Sequence, residues 1–213
     1  ILSDGTFAVK GTTDEQAVLA YVGKVNNYFD KFLAIALTDV DTNTHTWTEA
    51  LTSVGTYATA HPITIVGTAY NTSTTGDTYY DKVAASQTTA SASATAIQTG
   101  WRLPSVTDWR YVFDGLGRIK GSLALSDGTN ALTPTSPLGV SDGMEYRDGD
   151  NGSSLCNAIK TACGNTGLRS SYYWSSSEYT GSSDRAWNYD FSGGKFTWGS
   201  KTNGFYVRAV FAY

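Results

Sequence analysis

Charge is scarce in this sequence: Lys, Arg, Asp and Glu fill only 16% of 213 positions, with a net charge of -4. No basic stripe exists to follow a phosphate backbone, so nucleic acid is not an expected partner. Histidine is scarcer still. Its two copies, His45 and His61, exclude a three-histidine metal site, and no Gly-x-Ser-x-Gly elbow accompanies either. His61, standing before Pro62, reads as a turn residue. No apolar run approaches the roughly 18 to 20 residues that cross a bilayer, so direct membrane insertion is not expected either. The first residues, ILSDGTFAVK, lack the charged start and apolar stretch of a signal peptide. They also lack an initiator Met, and the numbered chain reads as a processed or trimmed product.

Cysteine occurs twice, at Cys156 and Cys163 in SLCNAIKTACG. Helical spacing there would set the two sulfurs on one face about 10 Å apart along the axis, beyond disulfide reach. An irregular segment would permit a bridge, whereas a helix leaves two small buried side chains.

What the chain has in quantity is aromatic surface set in small polar residues. Thirteen of its 28 aromatics fall between Tyr172 and Tyr213. Around them lie Ser, Thr, Asn, Asp and Gly, in the mixture that recognition surfaces use: stiff amphipathic rings for contact area and short polar groups for adaptable hydrogen bonds. Trp174, Trp187, Phe191, Val207, Ala209 and Phe211 would supply the core of a twisted antiparallel sheet. At 213 residues one domain, 1–213, is the simplest organisation.

The fold class is α+β. AVLAYVGKV and FLAIALTDV form a buried hairpin joined by NNYFDK. A first helix follows Thr46, with Trp47, Ala50, Leu51, Val54 and Tyr57 on one face and Thr46 with Glu49 as a capping box. A second follows Ser105, with Asp108 in its first turn, Trp109, Val112, Phe113 and Leu116 as its apolar face, and Gly115 or Gly117 at its end. A third spans 155–162 and stops at Gly164. Residues 61–99 read as a surface excursion with weak periodicity, and 121–152 as loops. Consecutive hairpin strands then cover 172–176, 185–191, 195–198 and 205–211, with turns at 192–194 and 202–204. Ser-Asp-Gly at 3–5, 126–128 and 141–143 marks tight turns.

The order of WTEAL, GWRLPSVTDW, YYWSSSEY, AWNYDFSGG and YVRAVFAY resembles the C-type lectin-like fold, two or three helices packed on twisted antiparallel sheets with long loops. The likeness is closest to the branch shared by formylglycine-generating enzymes and the variable proteins of diversity-generating retroelements of bacteria and their phages. WRLPS at 101–105, YWSSSE and YVRAV are its most specific parts. For a variable protein, the resemblance implies a fixed framework of Tyr173, Trp174, Trp187, Phe191, Val207, Arg208 and Val210, with diversified contact positions in a variable ligand-binding region 171–213. Those positions are Tyr179, Ser182, Asp184, Arg185, Asn188, Tyr189, Asp190, Ser192, Thr197, Trp198, Ser200, Thr202, Asn203, Phe205 and Tyr206. Their alternation with core residues on short hairpins is expected to gather them on the solvent face of one sheet and its rim.

Catalytic and metal readings are weaker in these residues. Trp187-Asn188-Tyr189-Asp190 departs from the calcium-binding Trp-Asn-Asp strand of sugar-binding lectins, and no Glu-Pro-Asn is present. Asp148-Gly-Asp-Asn-Gly has the oxygen density of a calcium loop, but in an EF-hand register Ile159 falls at the twelfth position, where it cannot ligate. Cys156 and Cys163 lie upstream of the aromatic strands, out of the copper-binding pattern of formylglycine-generating enzymes. Gly115, Gly117 and Gly121 follow a helix instead of opening one, unlike a nucleotide loop. Glu145 with Asp148, or Glu178 with Asp190, could act as acid and base in a glycosidase, but nothing in the sequence fixes the required separation and they read as solvated carboxylates. The expectation is a non-catalytic binding protein without metal or cofactor. Its partner would be a protein or glycan on another cell or particle, met at a cell surface, in a secreted form or on a phage particle. The anchors would be Tyr179, Tyr189, Trp198 and Phe205, oriented by Arg185 and Asp184. An oxidase of the formylglycine-generating type and a structural cell-surface or pilus subunit are the alternatives.

Overall fold

The computed structural model describes residues 1–8, 13–23, 31–70, 99–116, 153–165, 167–179 and 182–213. Within them the chain is α+β, in the order β1 (Ala17–Val22), β2 (Phe32–Ala36), α1 (Trp47–Ala60), β3 (Ile63–Ile65), β4 (Thr68–Tyr70), β5 (Gly100–Arg102), α2 (Val106–Leu116), α3 (Ser153–Ala162), β6 (Tyr172–Glu178), β7 (Arg185–Asp190), β8 (Lys195–Ser200) and β9 (Val210–Ala212). Three antiparallel sheets result, ordered β1-β2-β9-β5, β3-β4 and β6-β7-β8.

The first sheet is covered on both faces, which is why FLAIA carries no polar residue. Leu33 and Ile35 join the apolar cluster of α2 and α3, whereas Ala34 and Ala36 join that of α1. The expected hairpin of β1 and β2 is present, with Ala17 opposite Ala36 and Val22 opposite Phe32.

Local signals set the helices. Thr46 and Glu49 close the capping box of α1, and His61 ends the helix with its ring stacked 3.9 Å from that of Tyr57. Ser105 and Asp108 build a second box in the Trp101–Ser105 motif: the Asp108 amide donates to Ser105 Oγ and the Ser105 amide to Asp108 Oδ2, both at 3.0 Å. Arg102 meets the same carboxylate with two hydrogen bonds of 2.6 and 3.0 Å, all fully buried. This fork fixes the entry of α2 to the end of β5. In α3, Cys156 and Cys163 are free buried thiols, and Gly164 turns the chain out at φ 78°.

Two expectations change. Residues 63–70 are a β-hairpin, while 71–98 and the loops 121–152, with Glu145, Asp148 and two of the Ser-Asp-Gly turns, lie outside the described residues. The strand expected over 205–211 is divided. Phe205 bridges His45, Tyr206 bridges Tyr173, and the chain then crosses to the first sheet, where Val210–Ala212 lies between β2 and β5. Its apolar alternation is satisfied by two different sheets in succession.

Gly115 sits where α2 passes closest to β1. A Cβ there would fall 1.7 Å from the Ala20 carbonyl oxygen. Gly115→Ala is expected to force the helix off the sheet and to destabilise by about 3 kcal/mol, read as a lowered midpoint in urea.

Candidate functional site

The sheet β6-β7-β8 carries the region singled out in the sequence. Pairing places Arg185 opposite Ser200, Trp187 opposite Trp198 and Tyr189 opposite Phe196, so these six share one face. Ala186, Asn188 and Asp190 share the other with Gly199, Thr197 and Lys195. The framework residues Tyr173, Trp174, Trp187, Phe191, Val207, Arg208 and Val210 are all buried.

Three expected contact residues are interred. Tyr189 is 0% exposed, its ring 4.5 Å from Phe113 of α2, 4.7 Å from Phe191 and 4.9 Å from Phe196. It shares the Trp187 face because a strand repeats every two residues, and α2 closes that face. Asn188 is 0% exposed, with Oδ1 accepting from Thr197 Oγ1 at 2.6 Å. Asp190 is 4% exposed and accepts from the Ser192 amide at 2.9 Å and from the Ser192 hydroxyl. Both lie on the second face, which is covered as well: Phe205 packs 4.4 Å from Trp174 and stacks 5.1 Å from Tyr172.

The remaining positions do not share one face. At one end of the sheet Tyr179, Ser182, Asp184, Arg185, Trp198, Ser200 and Thr202 come together. The Tyr179 amide donates to the Arg185 carbonyl at 3.0 Å and the Lys201 amide to that of Asp184 at 2.8 Å. Tyr179 stacks 5.1 Å from Trp198 at 26°, and the Arg185 guanidinium lies 4.1 Å from the Trp198 ring centre. Ser182 Oγ donates to Asp184, whose carboxyl that bond holds below the usual range, and Ser200 Oγ lies 2.9 Å from Thr202 Oγ1. Thr197, Asn203 and Phe205 belong to the opposite side, where a Cβ on Gly199 would touch Phe205 at 3.0 Å and Asn203 at 3.1 Å. Ser192 sits in the turn at the far end, and Tyr206 packs 5.7 Å from Tyr173 beneath the Arg169 guanidinium.

One exposed ring was missed. Tyr172, 39% exposed, stands beside Phe205, and the Asp190 charge followed by burial pushes its phenol above the ordinary value. Its place opposite Tyr173 in the YYW alternation was the available signal.

Trp187 differs from the other buried indoles. Trp47, Trp101, Trp109 and Trp174 donate to the carbonyls of Ser175, His61, Trp174 and His45 at 2.8, 2.7, 3.3 and 2.7 Å. Trp187 Nε1 is buried without an acceptor, as is Asn188 Nδ2. The nearest ring to the Trp187 indole at this end of the sheet is Tyr179, edge-on at 5.5 Å.

Of the carboxylates Glu178 and Asp190, the first pairs with Lys201 while its side chain stays 38% exposed, and the second is buried and accepts from Ser192. An open cleft of about 460 Å³ runs along α1 past Asp41, His45, Thr48 and Glu49. There His45 Nε2 lies 3.0 Å from both Asp41 oxygens, and among the described residues no hydroxyl or thiol is hydrogen-bonded to its ring. No group of three or more His, Cys, Asp or Glu among the described residues could hold a metal ion, and no described helix is long and apolar enough to cross a membrane.

No family model matches the chain, and no curated protein is significantly similar to it.

Two outcomes test this geometry. Tyr189→Ala should destabilise by about 3–5 kcal/mol through the cavity it leaves, while Trp198→Ala, at a partly buried ring, should cost about 1–2 kcal/mol; chemical denaturation of both separates interior from rim. Replacing Asp190 by Asn should lower the Tyr172 phenol toward its ordinary value, since the negative charge that disfavours phenolate is gone. Ultraviolet titration reads that shift.

Proposed function

We propose that this chain is a non-catalytic ligand-binding protein of the C-type lectin-like fold, akin to the variable proteins of diversity-generating retroelements. The observation that carries the reading is the division of residues 172–213 into buried ribs and outward polar or aromatic groups. Diversification needs that division, because surface changes typically shift stability by only about 0.5 kcal/mol, whereas changes to the ribs open the core. The contact set is narrower than the sequence suggests. It centres on Tyr179, Ser182, Asp184, Arg185, Trp198, Ser200 and Thr202, with the aromatic rings supplying area and the hydroxyls adaptable hydrogen bonds. The ligand is a protein or glycan on another cell or particle, bound without metal or cofactor by a protein displayed at a cell surface, secreted, or carried on a phage particle.

The test is a displayed library. Joint randomisation of Ser182, Asp184, Ser200 and Thr202 should keep most members folded, by protease resistance, and yield binders against unrelated protein and glycan targets. The same treatment of Trp174, Trp187 and Phe191 should yield unfolded chains. Loss of folding at the first set, or no binders from it, would refute the proposal. In the gene, a near-duplicate of the 3′ segment differing at adenines beside a reverse transcriptase gene is the expected companion.

A further inference from the structure

Several described arginines face carboxylates. Arg102 forks onto Asp108, Arg208 donates to Asp39 at 2.9 Å, and Arg169 lies 3.9 Å from Asp39. Arg185 is different. Its guanidinium lies on the Trp198 indole, and among the described residues it has no hydrogen-bond or ion-pair partner. Of the neighbouring charges, Lys201 is held by Glu178, and Asp184 accepts from Ser182 and feels the Arg185 charge without forming an ion pair with it. Stacking on a ring leaves the in-plane N–H groups of a guanidinium pointing outward, a flat fork that matches a carboxylate with two parallel hydrogen bonds. Because the indole already restricts the side chain, less rotamer freedom remains to be lost on binding.

Resting on the binding reading above, we propose that Arg185, held flat on Trp198 beside Tyr179, is the receptor for a single exposed carboxylate, an Asp or Glu side chain of a protein ligand. Among the described residues at this end of the sheet Arg185 is a cation outside any ion pair, and a single guanidinium suits a single acid. This end of the sheet presents a surface of rings and hydroxyls of the kind that meets a protein epitope.

The experiment follows the Arg185 Nε–Hε resonance of the intact chain during titration with peptides rich in Glu and Tyr, with their Gln-for-Glu counterparts, and with a glucuronic-acid oligosaccharide. The acidic peptides should move that resonance and the neutral counterparts should not. Arg185→Gln should weaken acidic-peptide binding about tenfold or more, and Arg185→Lys, which keeps charge but not the fork, should fail to restore it. Unchanged thermal unfolding of both variants establishes that they fold. Equal response to acidic and neutral peptides, or binding unaffected by Arg185→Gln, overturns the proposal, and a response to the oligosaccharide alone overturns its protein ligand. Peptide binding that depends on Tyr179 and Trp198 with the Arg185 resonance unmoved would sink the carboxylate site while leaving the binding surface standing. Failure of every probe to engage this end of the sheet would count against both.

Discussion

A buried charge fixes how the two main sheets are joined. Arg208 stands where the chain leaves Tyr206, beside β6, for β9 in the first sheet, and its guanidinium is wholly enclosed. Burying such a charge without partners would cost several kcal/mol. Here Nη1 donates to Asp39 at 2.9 Å, Nε to the Ala36 carbonyl at 3.0 Å and Nη2 to the Leu37 carbonyl at 2.5 Å. Burial pushes the Asp39 carboxyl up, opposed by the Arg208 charge and hydrogen bond and by the Tyr173 hydroxyl, which donates to it at 2.9 Å. The segment after β2, the start of β6 and the carboxyl-terminal crossing thus meet at one satisfied network. Hydrophobic contacts tolerate slippage by a residue far better than a set of directed bonds around an enclosed ion. The divided strand over 205–211 follows from this, since the crossing must present Arg208 to the end of β2.

Elements with strong local chemistry were legible in the sequence. The capping box at Thr46, the Ser105 cap, the Gly164 stop and the apolar runs of β1 and β2 each carry their own signal within a few residues. The Arg208 network was not legible, because Asp39 and Arg208 are 169 residues apart and nothing in either neighbourhood names the other. The interred contact positions failed for two separate reasons. Tyr189 shares a face with Trp187 by the two-residue period of a strand, so placing one inside and the other outside broke a rule the sequence already stated. Asn188 and Asp190 obeyed the alternation of a half-buried strand, but β7 is covered on both faces, and covering by Phe205 comes from a residue beyond the next turn.

The tryptophans show how the sheet end is made rigid. Four indole N–H groups terminate on backbone carbonyls, and three of those bonds tie a different element to the sheet strand β6 or its flank: Trp47 from α1, Trp109 from α2, and Trp174 out to His45. Each bond removes a rotamer choice and a desolvation penalty together. Trp187 receives no such bond, and its position is set by packing alone, between the buried cluster beneath and the rings of Tyr179 and Trp198 at the rim. An unpaired buried donor costs on the order of 1–3 kcal/mol. The rim rings therefore matter to Trp187 as much as Trp187 matters to them.

That dependence limits what this end of the sheet can vary. Tyr179 and Trp198 present part of their surface to solvent, yet both pack on the cluster that holds Trp187, so replacing either by a small residue would expose the unpaired indole and loosen the platform. The side chains of Ser182, Asp184, Ser200 and Thr202 carry no such duty: their hydrogen bonds run among themselves, between Ser182 and Asp184 and between Ser200 and Thr202. A surface of this kind gains variety at its hydroxyl and carboxyl positions while its rings stay in place. Arg185 joins the rings through its stacking on Trp198, and among the described residues its guanidinium has no hydrogen-bond partner, so a group that engages it meets a donor already oriented by the fold.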